Sequence, residues 1–210
     1  MSQVLEALKW RYAVKKFDSK KIVSQEKMAL LKEAFDLTAS SYGLQPVRLV
    51  IIEDKELQQE LVSATMDQRQ VADASHVLIF CVENTVDSDY VTSYFENVKA
   101  IRKTPDEVLI PFRTYLLDVF NKESDEDTKQ WATKQAYLAM GNLLTICALE
   151  EIDACPMEGF DPTAYDTKLG LDKHGLSSVL VMPVGYRATD DMFAGFKKVR
   201  KGSKQSVLEL

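Results

Sequence analysis

Between Thr128 and Glu150 apolar residues fall on every side of a helical projection: Ala136, Leu138, Ala139, Met140, Leu143, Leu144, Ile146, Ala148 and Leu149. A helix that is apolar all round has to be covered all round. It is therefore predicted to be the central helix of a domain, or part of a subunit interface. Ahead of it stand Glu123-Ser124-Asp125-Glu126-Asp127, which fit the positive end of the helix dipole better than a metal site. At about 150 residues per domain, 210 residues favour one large domain over 1–210.

The rest of the chain alternates helical and extended patterns around that helix. Val4, Leu5 and Leu8 recur at helical spacing. Ser24 reads as the cap of a helix carrying Met28, Leu31, Ala34 and Phe35. Val47–Ile52 and His76–Val82 read as buried strands, and Lys55–Met66 as a helix between them. Tyr90–Lys99 and Asp106–Asn121 are predicted helices. Strands follow at Ile152–Met157 and Ser177–Tyr186, separated by a short helix with Asp161 as cap and Pro162 in its first turn. The last 15 or so residues read as an extended arm. The pattern gives an α+β or mixed α/β class.

Several functions are excluded. With 26 basic and 32 acidic residues the net charge is −6, a poor match to nucleic acid or an anionic membrane. The longest unbroken apolar run, Val77 to Val82, is far short of the roughly 20 residues of a membrane span. The N-terminus lacks the pattern of a signal peptide. Cys81, Cys147 and Cys155 are an odd set without a CxxC pair and read as buried apolar residues in a reducing, cytoplasmic setting. No GxGxxG, P-loop, HExxH or GxSxG motif is present. His76 reads as hydrogen-bonded structure and His174 as an exposed turn. An enzyme with so few side chains suited to hard chemistry would rely on a cofactor.

Four short segments stand out. Arg11-Tyr12-Ala13-Val14-Lys15-Lys16-Phe17 fits either a phosphate grip or a solvated basic patch. Ala39-Ser40-Ser41-Tyr42-Gly43-Leu44-Gln45-Pro46 fits a polyol-binding loop or a plain helix–strand connection. Cys155-Pro156-Met157-Glu158-Gly159-Phe160 ends a strand at a glycine that permits close backbone approach or a tight turn. Lys197, Lys198, Arg200, Lys201 and Lys204 form a basic cluster on an acidic protein.

Taken in order, these segments resemble the FMN-dependent nitroreductase family across essentially the whole chain. The likeness is carried by Arg11-x-x-x-Lys15-x-Phe17, Ser40-Ser41 with Gln45-Pro46, Asp73-Ala74-Ser75-His76, Lys134-Gln135-x-Tyr137-Leu138-x-x-Gly141-Asn142, Pro156-Met157-Glu158-Gly159-Phe160 and Lys198-x-Arg200. The resemblance implies an α+β fold with a mixed central sheet flanked by helices. It also implies an intertwined homodimer with two FMN sites at the interface.

Carried over, Arg11, Lys198 and Arg200 would clamp the FMN phosphate, and Lys15 would lie near the N1–C2=O edge of the ring, with Gln70 beside the same edge. The backbone of Glu158 and Gly159, with Pro156 and Met157 leading in, would approach N5. Ser40, Ser41 and Gly43 would reach the flavin from the partner subunit. Tyr12, Ala13 and Asp67 occupy cofactor-contacting positions where relatives often carry His or Arg, Ser, and Asn. Leu44 and Val47 likewise depart from a frequent Asn and Trp. Phe112, Tyr115 and Phe120 are candidates for the wall of a substrate pocket, with ordinary helix packing as the other reading.

The implied activity is transfer of hydride from NADH or NADPH through FMN to nitroaromatics, quinones or related small acceptors, by a ping-pong scheme. No side chain acts as nucleophile and no metal is used. The alternatives are a dedicated flavin or small-metabolite reductase, and a flavin-binding sensor of the same fold without turnover.

Overall fold

The computed structural model describes residues 2–210. The chain runs through α1 (Gln3–Trp10), α2 (Gln25–Asp36), β1 (Val47–Ile52), α3 (Lys55–Glu60), α4 (Gln70–Asp73), β2 (His76–Glu83), α5 (Ser88–Arg102) and α6 (Asp106–Lys122). It continues through α7 (Asp125–Leu149), β3 (Asp153–Ala154), α8 (Pro162–Leu169), β4 (Leu176–Gly185) and α9 (Ser203–Ser206). Side-chain caps start most of these helices. Ser24 accepts from the Lys27 amide, Asp54 from Leu57, Asp87 from Asp89 and Tyr90, Ser124 from Asp127, and Asp161 from Ala164, with Pro162 opening α8. Each cap satisfies an amide that the first turn leaves without a partner.

The sheet has the order β1-β2-β4-β3, and all three strand pairings are antiparallel. The α+β class expected from the sequence is the observed one. Its parallel component is small, a single bridge between Ala13 and Ala154. β2 is buried on both faces, so its side chains divide by alternation. Leu78, Phe80 and Val82 join Leu180 and Met182 against α2 and α7, whereas Val77, Ile79 and Cys81 join Val181, Leu61, Val71 and Tyr165 on the opposite face. A third cluster, with Val91, Phe95, Leu116 and Phe120, fills the α5–α6 hairpin.

Three expectations change. The predicted helix from Lys55 to Met66 stops at Glu60; a 3-10 turn follows at Ser63–Thr65, and Met66 and Asp67 then take left-handed φ values of 53° and 57° and turn the chain. The predicted strand over 152–157 shrinks to two residues: Pro156 brings no N–H to a ladder, and Met157 rejoins β4 by one bridge to Val181. And α7 is not covered on all sides within one chain. Ala132, Ala136, Ala139, Met140, Leu143 and Cys147 are buried, but Tyr137 and Leu138 are about half exposed, at 47% and 50%.

Candidate functional site

The basic segments near the two ends of the sequence meet. The segment after α1 is laid against the one after β4 by backbone bonds from Asp18 N to Tyr186 O (2.8 Å) and from Ala188 N to Lys16 O (2.9 Å). Lys198 Nζ then donates to the Arg11 carbonyl. Burial lowers the pKa of the Arg11 guanidinium, and Arg200 lowers it further. Lys198 is lowered by burial, and then by Arg11, Arg200 and Arg187. These cations destabilise one another, and among the described residues no carboxylate lies in ion-pair range of Arg11, Lys198 or Arg200. Such a group has the chemistry to hold an anion with several oxygens, since Arg suits bidentate phosphate contact.

The neighbouring cation is different in kind. Arg187 is neutralised by the buried Asp153, which takes bonds from Arg187 Nε at 2.9 and 3.0 Å and from its amide at 2.7 Å. Its guanidinium lies 4.2 Å from the Trp10 ring centre and 4.6 Å from that of Tyr12. It therefore supports the segment carrying Arg11. The sequence reading did not single out Arg187, Asp153 or Asp191, whose carboxylate accepts from Tyr12 Oη at 2.8 Å. Asp191 also caps a short turn by accepting from the Phe193 amide, and that cap was its only local signal.

A second wall forms where two loops cross. Gln68 Nε2 donates to Gly159 O (3.2 Å), and Asp161 N to Ala64 O (2.7 Å). A Cβ at Gly159 would meet Met66 Sδ at 3.3 Å and Gln68 Nε2 at 3.4 Å, the ends of two flexible side chains that pack on this turn. Asp67 and Gln70 flank this crossing on one side, Pro156, Met157 and Glu158 on the other. Met157 is fixed by a 2.8 Å bond from its amide to Val181 O. Tyr137 Oη donates to Glu158 Oε1 at 2.8 Å, and that bond raises the phenol's pKa. Lys15 and Arg11 act electrostatically on the buried Cys155, which places this thiol among the basic group. Burial nevertheless pushes Cys155 up, and Cys147 to about 12, so neither is poised as a nucleophile.

The serine loop stands elsewhere. Ser41 N donates to Gln135 Oε1 (2.8 Å), Gln45 N to Ser40 Oγ (3.0 Å), and Tyr90 Oη to Leu44 O (2.8 Å), so α5 and α7 brace it. Gly43 takes φ +75° with the Tyr94 hydroxyl 2.8 Å from the place a Cβ would occupy; only glycine fits. Tyr42, also at positive φ, lies 6.3 to 6.5 Å from the rings of Phe112, Tyr115, Phe120 and Trp131. Phe112 and Tyr115 are exposed, whereas Phe120 packs into the hairpin core. The residues expected at one site thus fall in two groups within a chain. Arg11, Tyr12, Ala13, Lys15, Lys198 and Arg200 come together, near the crossing of 66–70 with 156–159. Ser40, Ser41 and Gly43 keep company with Phe112, Tyr115 and Phe120. A cleft of about 690 Å³ holds none of these; it runs between α2, α5 and β1, past Lys32, Arg48, Glu83 and Tyr94.

Comparison with known proteins is consistent across sequence and structure. The family model described as "Nitroreductase family" matches residues 8–186. A protein of Salmonella typhimurium named oxygen-insensitive NAD(P)H nitroreductase is 30% identical over 209 residues, covering 95% of this chain and 96% of that one. A Staphylococcus saprophyticus protein, provisionally named an NAD(P)H nitroreductase, is 37% identical over 200 residues, 89% of each. The fold matches a nitroreductase-like protein of Streptococcus mutans with TM-score 0.84, 22% identity and coverage of 98% and 97%. It equally matches an Exiguobacterium sibiricum protein solved in complex with FMN, with TM-score 0.84, 20% identity and coverage of 100% and 98%.

Proposed function

The chain belongs to the nitroreductase family of oxidoreductases, and on that footing we propose that it is a homodimeric FMN enzyme using NADH or NADPH to reduce nitroaromatics, quinones or related small acceptors. The observation that carries this reading is the convergence of Arg11, Lys198 and Arg200 without an acid to neutralise them. The donor set fits FMN: three cations for a phosphate, an unpaired Lys15 ammonium for the electron-rich edge of a flavin ring, and backbone brought close at Gly159. Bound FMN would supply the redox chemistry, taking hydride from the nicotinamide and giving it to the second substrate after the first has left.

The chain's own residues bind, orient and stabilise. Arg11, Lys198 and Arg200 hold the phosphate. Lys15 places a positive charge where two-electron reduction leaves a negative one, and a fixed charge there needs no reorganisation during the reaction. Pro156, Met157, Glu158 and Gly159 would present main chain to the ring, with Gln70 and Asp67 near its edge, and Tyr12 and Ala13 would lie toward the phosphate and ribityl chain. Tyr137 holds Glu158 at the rim. Ser40, Ser41 and Gly43 are too tightly braced by α5 and α7 to join the cation group of their own chain, so in this reading they complete the site of a second copy.

A second copy also accounts for surfaces that would otherwise be costly. Leu37, Tyr137 and Leu138 are exposed around α2 and α7, and Val207, Leu208 and Leu210 are exposed on the C-terminal arm. Each chain is one domain of a two-site dimer. No described helix is long and apolar enough to cross a membrane; we place the enzyme in the cytoplasm, with its three cysteines reduced. Steady-state kinetics test the activity. Parallel double-reciprocal lines with NAD(P)H against a quinone or nitroaromatic are expected. Lines that intersect would contradict the two-stage scheme, and the absence of turnover with every acceptor would contradict the activity.

A further inference from the structure

Asp191 is almost fully buried, at 6% exposure, yet no lysine or arginine pairs with it among the described residues. Its Oδ2 accepts from Tyr12 Oη at 2.8 Å, Lys15 N at 3.0 Å and Lys16 N at 3.3 Å, and its Oδ1 accepts from Phe193 N at 3.1 Å. Three of the four donors belong to the segment that carries Arg11 and Lys15. The acid itself belongs to the segment that leads to Lys198 and Arg200. A carboxylate held by four donors is stabilised as the anion, and its pKa is lowered although burial alone would raise it.

We propose that Asp191 is a positioning residue for the cofactor site: it locks the 12–16 segment to the 188–193 turn so that Arg11 meets Lys198 and Arg200 before any phosphate arrives. The three cations repel one another, so without a tether the empty protein would relax by separating them. The backbone bonds between the segments, Asp18 to Tyr186 and Ala188 to Lys16, lie on the far side of Lys15 from Arg11. Lys198 Nζ reaches the Arg11 carbonyl through a long, exposed side chain; the buried tie nearest the cations is Asp191, directly to Lys15 N and through the Tyr12 phenol. Arg187 packs on the Tyr12 ring and holds that phenol in place. The site is thereby preorganised, and bound phosphate need not supply the energy of gathering like charges.

This inference rests on the proposed FMN site, and its test separates the two. Full-length flavin-free protein is titrated with FMN and with riboflavin, which differ only by the phosphate. The wild type is expected to favour FMN strongly. D191A, which loses all four acceptor contacts, is expected to reduce the FMN-to-riboflavin affinity ratio by about tenfold or more, with D191N between it and the wild type. A merely structural acid would weaken both ligands alike, and an unchanged ratio overturns the proposal, whatever happens to the separate affinities. Y12F removes one donor while keeping the ring under Arg187; it should lower the ratio in the same direction, and it decides the matter if the Asp191 variants do not fold. Wild-type protein that takes up FMN no better than riboflavin would instead overturn the phosphate site itself, and this proposal with it.

Discussion

Arg11 is half buried, faces Arg200 and Lys198, and has no acid in ion-pair range among the described residues, so its charge is a burden on the empty protein and would be an asset with the proposed phosphate bound. R11A is therefore expected to weaken FMN binding by about ten- to a hundredfold, in line with roughly 1.5–3 kcal/mol for a charge-assisted hydrogen bond. The same substitution should leave the thermal stability of the flavin-free protein unchanged or slightly raised. A large loss of stability without flavin would contradict the account of Arg11 as an unneutralised cation. His76 supplies a pH prediction by a different route. Ser75 Oγ accepts from Val23 N at 2.8 Å and lies 2.8 Å from His76 Nδ1, and His76 Nε2 is 3.4 Å from Glu53. Burial lowers the His76 pKa from 6.5 despite Glu53, which raises it. The unfolded chain thus takes up this proton at a higher pH than the folded one. The contribution of neutral His76 is complete above about pH 6.5 and is lost as pH falls from there toward the folded pKa. Melting temperature is expected to drop between pH 7.5 and 5.5, and H76Q should remove part of that drop; an identical pH profile in the variant would contradict it.

Among the elements, α7 shows how far sequence reasoning reaches. Its existence followed from apolar residues at every helical phase, whereas its start, read at Thr128, lies at Asp125, where Ser124 caps it by accepting from Asp127 N. β2 and β4 were as legible, since short β-branched runs between turn residues have few other fates. Less legible were the places where backbone conformation overrides side-chain pattern. Nothing in the apolar spacing of 55–66 announces that Met66 and Asp67 turn left-handed, and β3 is short because its neighbours leave the ladder. The α7 surface also carries two predictions. Ala136 is fully buried in the cluster that α7 forms with the sheet, so A136L would overfill that contact and cost about 1–3 kcal/mol, read as a shift in denaturant midpoint. Leu138, half exposed on another side, belongs in the proposed dimer contact. L138R should shift the protein from dimer to monomer in light scattering while leaving its circular dichroism intact; an unaltered mass would exclude this side of α7 from the interface.

For the whole molecule, the sequence motifs were recognisable one by one, but their grouping was expected only through the family resemblance. That Arg11 and Lys198 meet is a property of two chain segments crossing beside β3, and Asp191, the acid proposed to tie them, did not stand out in the sequence. The separation of Ser40, Ser41 and Gly43 from the cations is what the proposed dimer would require, with one chain as half of a working unit. The arm provides a test at this scale. Removing residues 205–210 deletes the exposed Val207, Leu208 and Leu210 but spares Lys198 and Arg200. The shortened protein should dissociate at higher concentration than the full chain, and equal dissociation constants would show that the arm does not hold the partner. The central claim is that this family member carries FMN and passes electrons through it, and an anaerobic absorbance titration addresses it most directly. Purified protein is expected to absorb near 450 nm, to bleach on stoichiometric addition of NADH or NADPH, and to regain its colour when a quinone is added. Protein that takes up no flavin, or a bound flavin that neither nucleotide bleaches, would contradict the account.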